Sequence, residues 1–310
     1  MTGAVVVEKL CVKYGDYCAV NEVDFEVQSG EIVALLGPNG AGKTSTLQVL
    51  DGSIDASSGR VRVLGEDPRR GGRHWRAQLG VVAQSTGLDM QLTAGQVLAA
   101  FAVAFPDPRP IREALQMVGL DSVGDQRVAA LSGGQQRRLD VAVGIVGRPR
   151  LLFLDEPTTG FDPAARRQLW TTVRDLAAEG VTVLLTTHYL DEASALADRV
   201  LVLADGRLVN DSAPETLRLA TGGSLVRCPL PPNVVRAGLP GVLRGWYDEQ
   251  QHALIVRTHD VPGVLEPLLG WARAQHVDLS PLEVGPPSLE DAYLALTGRY
   301  SDAALETARD

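Results

Sequence analysis

Ile32-Val-Ala-Leu-Leu-Gly-Pro-Asn-Gly-Ala-Gly-Lys-Thr-Ser-Thr-Leu-Gln-Val-Leu50 passes from a continuous apolar run, through a glycine loop, into a helical pattern. Ile32–Leu36 has the length and composition of a buried strand, and Thr44–Leu50 reads as a helix that stops near Gly52. Between them, glycines at 37, 40 and 42 let backbone N–H groups turn inward, with no side chain to obstruct a pyrophosphate. The helix beginning near Thr44 offers its positive N-terminus to the same anion. In such a loop Lys43 sits against the β- and γ-phosphates, and the Thr44 hydroxyl takes one position on Mg²⁺. A glycine turn can also do no more than join a strand to a helix. Here both flanking elements are present, so the residues expected around a nucleoside triphosphate are Gly37, Pro38, Asn39, Gly40, Ala41, Gly42, Lys43, Thr44 and Ser45.

Downstream, Leu151–Leu154 is a second apolar strand, and Asp155-Glu156 follow it directly. At the carboxyl edge of a parallel sheet, where ligands of such sheets bind, an Asp can hold Mg²⁺ and a neighbouring Glu can polarise an attacking water. An acidic turn before Pro157 is the plainer reading of the pair alone; the phosphate loop upstream favours the catalytic one. Leu131-Ser-Gly-Gly-Gln135 also has a plain reading. Ser132 and Gln135 have the spacing of a capping box that opens a helix through Arg137, Leu139, Val141 and Ile145 to a stop near Gly147–Pro149. Two glycines just inside that helix cost about 1 kcal/mol each relative to alanine, a poor choice if capping were their only task. Bare N–H groups at a helix N-terminus form an anion site.

The rest of the chain fits an α/β organisation. Val5–Val12 and Val23–Val27 alternate like strands, Val61–Leu64 and Leu79–Ala83 are short strands, and Gln84 ends the second. Residues 86–148 are mostly helical: Thr93-Ala-Gly-Gln96 caps the run Val97–Phe105, prolines at 106, 108 and 110 end it, and Ile111–Val118 follows. Strand and helix then alternate through Pro163–Ala178, Val181–Leu185, Asp191–Ala197 and Val200–Leu203. That pattern gives a parallel α/β core with an inserted helical subdomain. Thr221-Gly-Gly223 reads as a boundary between a domain over 1–220 and an α+β appendage over 224–310. In the appendage Ser224–Cys228, Val242–Trp246 and Ala253–Arg257 read as strands, Val264–Ala274 and a segment from Ser288 to Gly298 as helices.

Composition narrows the functional classes. The chain has 310 residues, 45% of them hydrophobic, enough for a sizeable core. Its longest apolar runs are strand-sized and fall short of the roughly 18 residues a membrane helix needs. The opening Met-Thr-Gly-Ala-Val lacks the basic and apolar regions of a secretory signal, so a cytoplasmic location is expected. Cys11, Cys18 and Cys228 are scattered without metal-ligand spacing and read as free thiols. A net charge of -9 argues against a polyanion-binding surface, so no nucleic-acid partner is expected. The cluster of Arg60, Arg62, Arg69, Arg70, Arg73 and Arg76 reads as a solvated loop, with only Trp75 as an interleaved aromatic.

Taken in order, these motifs resemble the nucleotide-binding subunit of an ABC (ATP-binding cassette) transporter. The matching segments are the phosphate loop Gly37–Thr44, a Q-loop at Gln84, the signature Leu131–Gln135, a Walker B strand ending Leu154-Asp155-Glu156, a D-loop at Gly160-Phe161-Asp162 and a switch histidine, His188. The resemblance implies a P-loop cassette fold with an N-terminal antiparallel β subdomain. It also implies that two copies pack head to tail, with ATP between one phosphate loop and the partner's signature residues Leu131, Ser132, Gly133, Gly134 and Gln135. Tyr14 would then stack on adenine. Glu156 would be the general base, His188 a γ-phosphate contact, Asp155 a Mg²⁺ ligand and Asp162 a link across the dimer. Gln84 would sense Mg²⁺ or lytic water on behalf of a separate membrane permease.

Pro287–Gly298 is similar to the closing segment of ATPases in drug- and antibiotic-export systems of the daunorubicin-resistance type, with Leu289, Tyr293, Leu294 and Leu296 as a possible core face. This similarity implies export of a small hydrophobic compound. The chain departs from the family at Phe161, usually Leu, at Gly144, which should loosen the signature helix, and at Gly95-Gln96, where relatives carry a charged residue and Glu. Two rival readings are a non-transport ABC ATPase in repair or translation and a P-loop small-molecule kinase. The first usually brings coiled-coil arms or paired cassettes; the second leaves Leu131–Gln135 unexplained.

Overall fold

The computed structural model describes residues 3–84, 87–220, 222–249 and 251–296. The chain opens on a hairpin of β1 (Val5–Tyr14) and β2 (Tyr17–Val27), followed by β3 (Ile32–Leu36) and α1 (Lys43–Leu50). β4 (Ser58–Val63) returns to pair antiparallel with β1, which completes a three-stranded sheet of order β2-β1-β4. A short α2 (Arg73–Arg76) leads to β5 (Leu79–Val82). Trp75 of α2 is buried and donates from Nε1 to the Val63 carbonyl at 2.8 Å, so it is part of the core and offers the surrounding arginines no stacking platform. Two of those arginines are paired with acids, Arg60 with Glu8 and Arg69 with Asp67.

The helical subdomain holds α3 (Ala94–Ala102), α4 (Ile111–Met117) and α5 (Gly133–Val146). Thr93 and Gln96 exchange both bonds of a capping box at the start of α3. That helix ends at Ala102, earlier than the apolar run suggests, and Val103 is exposed. β6 (Leu151–Asp155), α6 (Pro163–Ala178), β7 (Thr182–Thr187), α7 (Leu190–Leu196), β8 (Arg199–Ala204) and β9 (Arg207–Ser212) follow. Their sheet has the order β5-β6-β7-β3-β8-β9, parallel throughout except for the antiparallel edge strand β9. Every residue of β3, β6 and β7 is buried, as strands covered on both faces require, which is why each is built around an apolar run, with Asp155 ending β6 and threonines flanking Val183–Leu185 in β7. Edge strand β9 alternates exposed and half-buried residues without a matching polar and apolar alternation, a weak signal beside its neighbours.

The chain divides into two compact units after Pro214. The second begins at Glu215 within α8 (Pro214–Ala220) and continues through β10 (Ser224–Pro229), β11 (Tyr247–Asp248), β12 (Ala253–Thr258), α9 (Val261–Gln275), β13 (Glu283–Gly285) and α10 (Leu289–Leu296). Its antiparallel sheet has the order β11-β12-β10-β13 and carries its own apolar core, which includes Val226, Leu254, Val256 and Leu268. Val242–Trp246, expected as a strand, is a 3₁₀ turn over Gly241–Trp246. Leu243 N–H bonds back to the Pro240 carbonyl, the three-residue step of a 3₁₀ turn that an extended strand does not make. On α10, Leu289 is buried but Leu296 is exposed, so Leu296 is not part of a core face. Gly298, expected to stop that helix, lies outside the described residues, as does Thr221 at the expected boundary.

Candidate active site

Sheet order decides which residues meet. β5, β6, β7 and β3 are adjacent and parallel, so Gln84, Asp155-Glu156, His188 and the loop after Leu36 all emerge at one edge. A cavity of about 350 Å³ opens there. Its walls include Asn39, Gly40, Gly42, Lys43, Thr44 and Ser45 from the glycine loop, together with Tyr14, Gln84, Glu156 and His188. Ala41 is buried, and Gly37 and Pro38 do not line the cavity but turn their carbonyls toward Lys43.

Gly42 caps α1 with φ 98°, and a Cβ there would meet the Ala19 carbonyl oxygen at 2.3 Å, so only glycine closes this turn. Lys43 Nζ donates to the Gly37 and Pro38 carbonyls at 2.8 and 3.1 Å. Burial pushes its ammonium below the usual lysine range, while Glu156 and Asp155 act in the opposite direction. An anionic phosphate is the ligand such an ammonium lacks. The Thr44 hydroxyl donates to Asp155 at 3.1 Å, which puts a neutral and a charged hard oxygen side by side. That donor set fits Mg²⁺ held with help from phosphate oxygens; among the described residues no group of acids, histidines and cysteines forms a metal cage by itself.

Glu156 adopts a left-handed backbone conformation, φ 47°, and among the cavity-lining residues it is the one non-glycine that does so. Its N–H bonds to the hydroxyl and carbonyl of Thr186 at 3.0 and 3.2 Å. The turn aims its carboxylate at His188, whose Nδ1 lies 3.4 Å from Oε1. The Thr159 hydroxyl reaches Oε2 at 3.3 Å. Sequence reasoning missed Thr186, which also donates to Asp155 at 2.5 Å, because it ends an apolar strand and has no motif of its own. It missed Tyr17 too: the phenol donates to the Gly40 carbonyl at 3.1 Å and the ring lines the cavity beside Tyr14, whose hydroxyl lies 3.3 Å from Ser45 Oγ. The turn that follows Tyr14 was the available signal.

Leu131–Gln135 lies elsewhere. Ser132 Oγ accepts from Gln135 N–H at 3.2 Å and Gln135 Oε1 accepts from Ser132 N–H at 2.8 Å, so the capping box exists. Leu131 is buried, Ser132 and Gly133 are exposed, and none of the five lines the cavity. A Cβ at Gly133 or Gly134 would meet no heavy atom within 4 Å. Among the described residues, therefore, no close neighbour calls for these glycines. Gly144 is the opposite case. A Cβ there would come within 2.6 Å of a Val82 methyl group, so this glycine lets α5 press on β5 and does not merely loosen the helix. Asp162 caps α6 by accepting from Ala164 and Ala165 N–H at 2.8 and 2.9 Å, bonds that hold its carboxyl below the usual range. Phe161 is buried in the same turn.

Behind His188, Glu192 of α7 is completely buried and accepts from Trp170 Nε1 at 3.2 Å. Desolvation raises its pKa above the ordinary carboxylate value of 4.5. The folded state therefore binds this proton more tightly than the unfolded state, and stability falls as pH rises from that value through the raised one. Glu192→Gln removes the charge and is expected to raise the melting temperature at neutral pH more than near pH 4.5. Equal shifts at both pH values would overturn the reading.

Comparison with known proteins agrees with the geometry. Residues 20–159 match the ABC transporter family model, and residues 224–288 match the model of an ABC transporter domain-containing protein-like C-terminal domain. A daunorubicin resistance ATP-binding protein of Streptomyces coeruleorubidus is 36% identical, the match covering 96% of each chain. A Nod factor export ATP-binding protein I of Rhizobium sp. (strain N33) is 38% identical over 92% of this chain and 94% of its own. Among solved structures, an ATP-binding subunit of an ABC transporter superimposes with a TM-score of 0.65 at 27% identity, covering 71% of this chain and 93% of that one. A cassette solved as a dimer after hydrolysis, with ADP and phosphate bound, shares the fold, with a TM-score of 0.62 at 23% identity over 67% and 98% of the two chains.

Proposed function

The chain belongs to the ABC transporter family as an ATP-hydrolysing subunit, and from that premise we propose that it powers an exporter as one half of a head-to-tail homodimer. One observation carries the reading. The phosphate loop, Gln84, Glu156 and His188 share a cavity, while the glycines of Leu131–Gln135 face open space outside it. A helix N-terminus whose glycines have no described residue of their own chain packed against them has the form of a half-site offered to another copy.

In the proposed cycle, ATP enters the cavity with its adenine against Tyr14 and Tyr17 and its phosphates along the N–H groups of Gly40–Ser45. Lys43 exchanges its carbonyl partners for the β- and γ-phosphates, an exchange favoured by the charge its buried ammonium gains as neighbour. Thr44 and Asp155 would hold Mg²⁺, whose chemistry is to neutralise charge on the phosphate oxygens. Glu156 accepts a proton from the attacking water, His188 steadies the γ-phosphate and Gln84 reports on both. Ser132, Gly133 and Gly134 of the second copy close the site over the γ-phosphate, and Asp162 acts across the same junction.

Among the described residues no helix is long and apolar enough to cross a membrane. Separate permease subunits would therefore carry the cargo, with this chain attached at their cytoplasmic face. The names of the relatives support export, and the daunorubicin-resistance relative supports a small hydrophobic cargo. Nothing supports a repair or translation role, and the net charge of -9 gives no ground for a nucleic-acid partner. Purification from solubilised membranes is expected to recover the chain with a multi-spanning protein whose presence stimulates ATP hydrolysis. Recovery with ribosomes or DNA in place of such a protein would overturn the assignment.

A further inference from the structure

Arg137, one turn beyond Gly133 in α5, is 9% exposed, and burial holds its guanidinium below the usual arginine range. Its donors are spent on backbone. Nη2 bonds to the Asp155 carbonyl at 2.7 Å and to the Glu156 carbonyl at 3.2 Å, and Nη1 bonds to the Ala83 carbonyl. Asp140, on the next turn of the same helix, lies 3.6 Å from Nη1. A single guanidinium therefore joins the helix that begins with Ser132 to the ends of β5 and β6, where Gln84 and Glu156 emerge. A planar fork can bridge several carbonyls at once; a lysine ammonium is a point charge on a flexible stem.

Glu156 makes that link consequential. Its left-handed φ of 47° costs energy for a residue with a side chain, and it persists where surrounding contacts over-determine the backbone. Thr186 holds the N–H side of this residue, and Arg137 holds its carbonyl. Between them they fix the peptide planes that direct the Glu156 carboxylate into the cavity.

We propose that Arg137 is a positioning residue: it locks the partner-facing helix α5 to the Glu156 backbone, so that a copy docking on Ser132–Gly134 bears on the aim of this chain's own general base. The inference rests on Glu156 being that base. Arg137 does not line the cavity, and it acts through the backbone of Ala83, Asp155 and Glu156.

The test compares Arg137→Lys, Glu156→Gln and the double variant in the full chain with its permease. Arg137→Lys is expected to lower kcat about 10- to 100-fold, the scale of a small misplacement of a catalytic group. KM for ATP and the melting temperature should stay near wild type. In the Glu156→Gln background the lysine should cost no further turnover. An unchanged kcat, a parallel loss of kcat and ATP affinity, or an additional loss in the double variant would each overturn the proposal. If the lysine variant does not fold, Arg137→Gln is judged by the same measurements, and failure of both to fold marks Arg137 as a structural strut only. Substantial turnover by Glu156→Gln alone would instead refute the base assignment beneath it.

Discussion

Glu156→Gln is expected to bind ATP with near wild-type affinity and to lose turnover by about 10²–10⁴-fold, the range for removal of a general base. The amide keeps the size of the carboxylate, so its contacts with Thr159 and the backbone turn fixed by Thr186 can survive. What disappears is the capacity to take a proton from the attacking water, which Glu156 Oε1, 3.4 Å from His188 Nδ1, would otherwise accept. Because ATP stays bound without being cleaved, the two-copy state held by nucleotide should accumulate. Nucleotide affinity, single-turnover rate and mass in solution are the three measurements. Hydrolysis near the wild-type rate would remove Glu156 from the role of base.

The second large effect is expected at Ser132. Ser132→Arg leaves every cavity-lining residue in place, so the isolated chain should bind ATP about as well as wild type, yet activity should fall to background. An arginine at the helix N-terminus sets a bulky cation against the positive end of α5 and blocks the surface that Gly133 leaves open. The sharper form of the experiment mixes two inactive chains. A pair of Ser132→Arg with Lys43→Ala contains one site in which the intact phosphate loop of the first faces the intact signature of the second. Activity above that of either parent is expected from this mixture. If the run acted within its own chain, the mixture would stay inactive. Loss of ATP binding by the single variant would mean that Ser132 merely folds the domain.

Much of the site could be read in one dimension because its demands are local. A loop that wraps phosphate needs glycines at fixed spacing, and Gly42 shows why: the left-handed φ and the approach of the Ala19 carbonyl exclude any side chain. The capping box at Ser132 and Gln135 is likewise a matter of four neighbouring residues. Arg137 was harder. It shares the buried face of α5 with Val141 and Ile145, four and eight residues on, so a charged residue on an apolar stripe was the visible clue. Its partners, however, are backbone carbonyls, which no side-chain motif records. Val242–Trp246 misled for a related reason: short apolar runs have no period long enough to separate a strand from a tight turn.

By itself the sequence determined the nucleotide loop, the acidic strand end, the capped helix and the chain order of strands and helices, because each follows from local spacing and burial. Only the tertiary structure decided that β5, β6, β7 and β3 lie side by side, though their sequence order is β3, β5, β6, β7. Parallel pairing across long connections depends on how the helices cover both faces of the sheet, a property of the whole unit. That ordering brings Gln84, Glu156 and His188 to Lys43, in a cavity that Gly133 and Gly134 do not line.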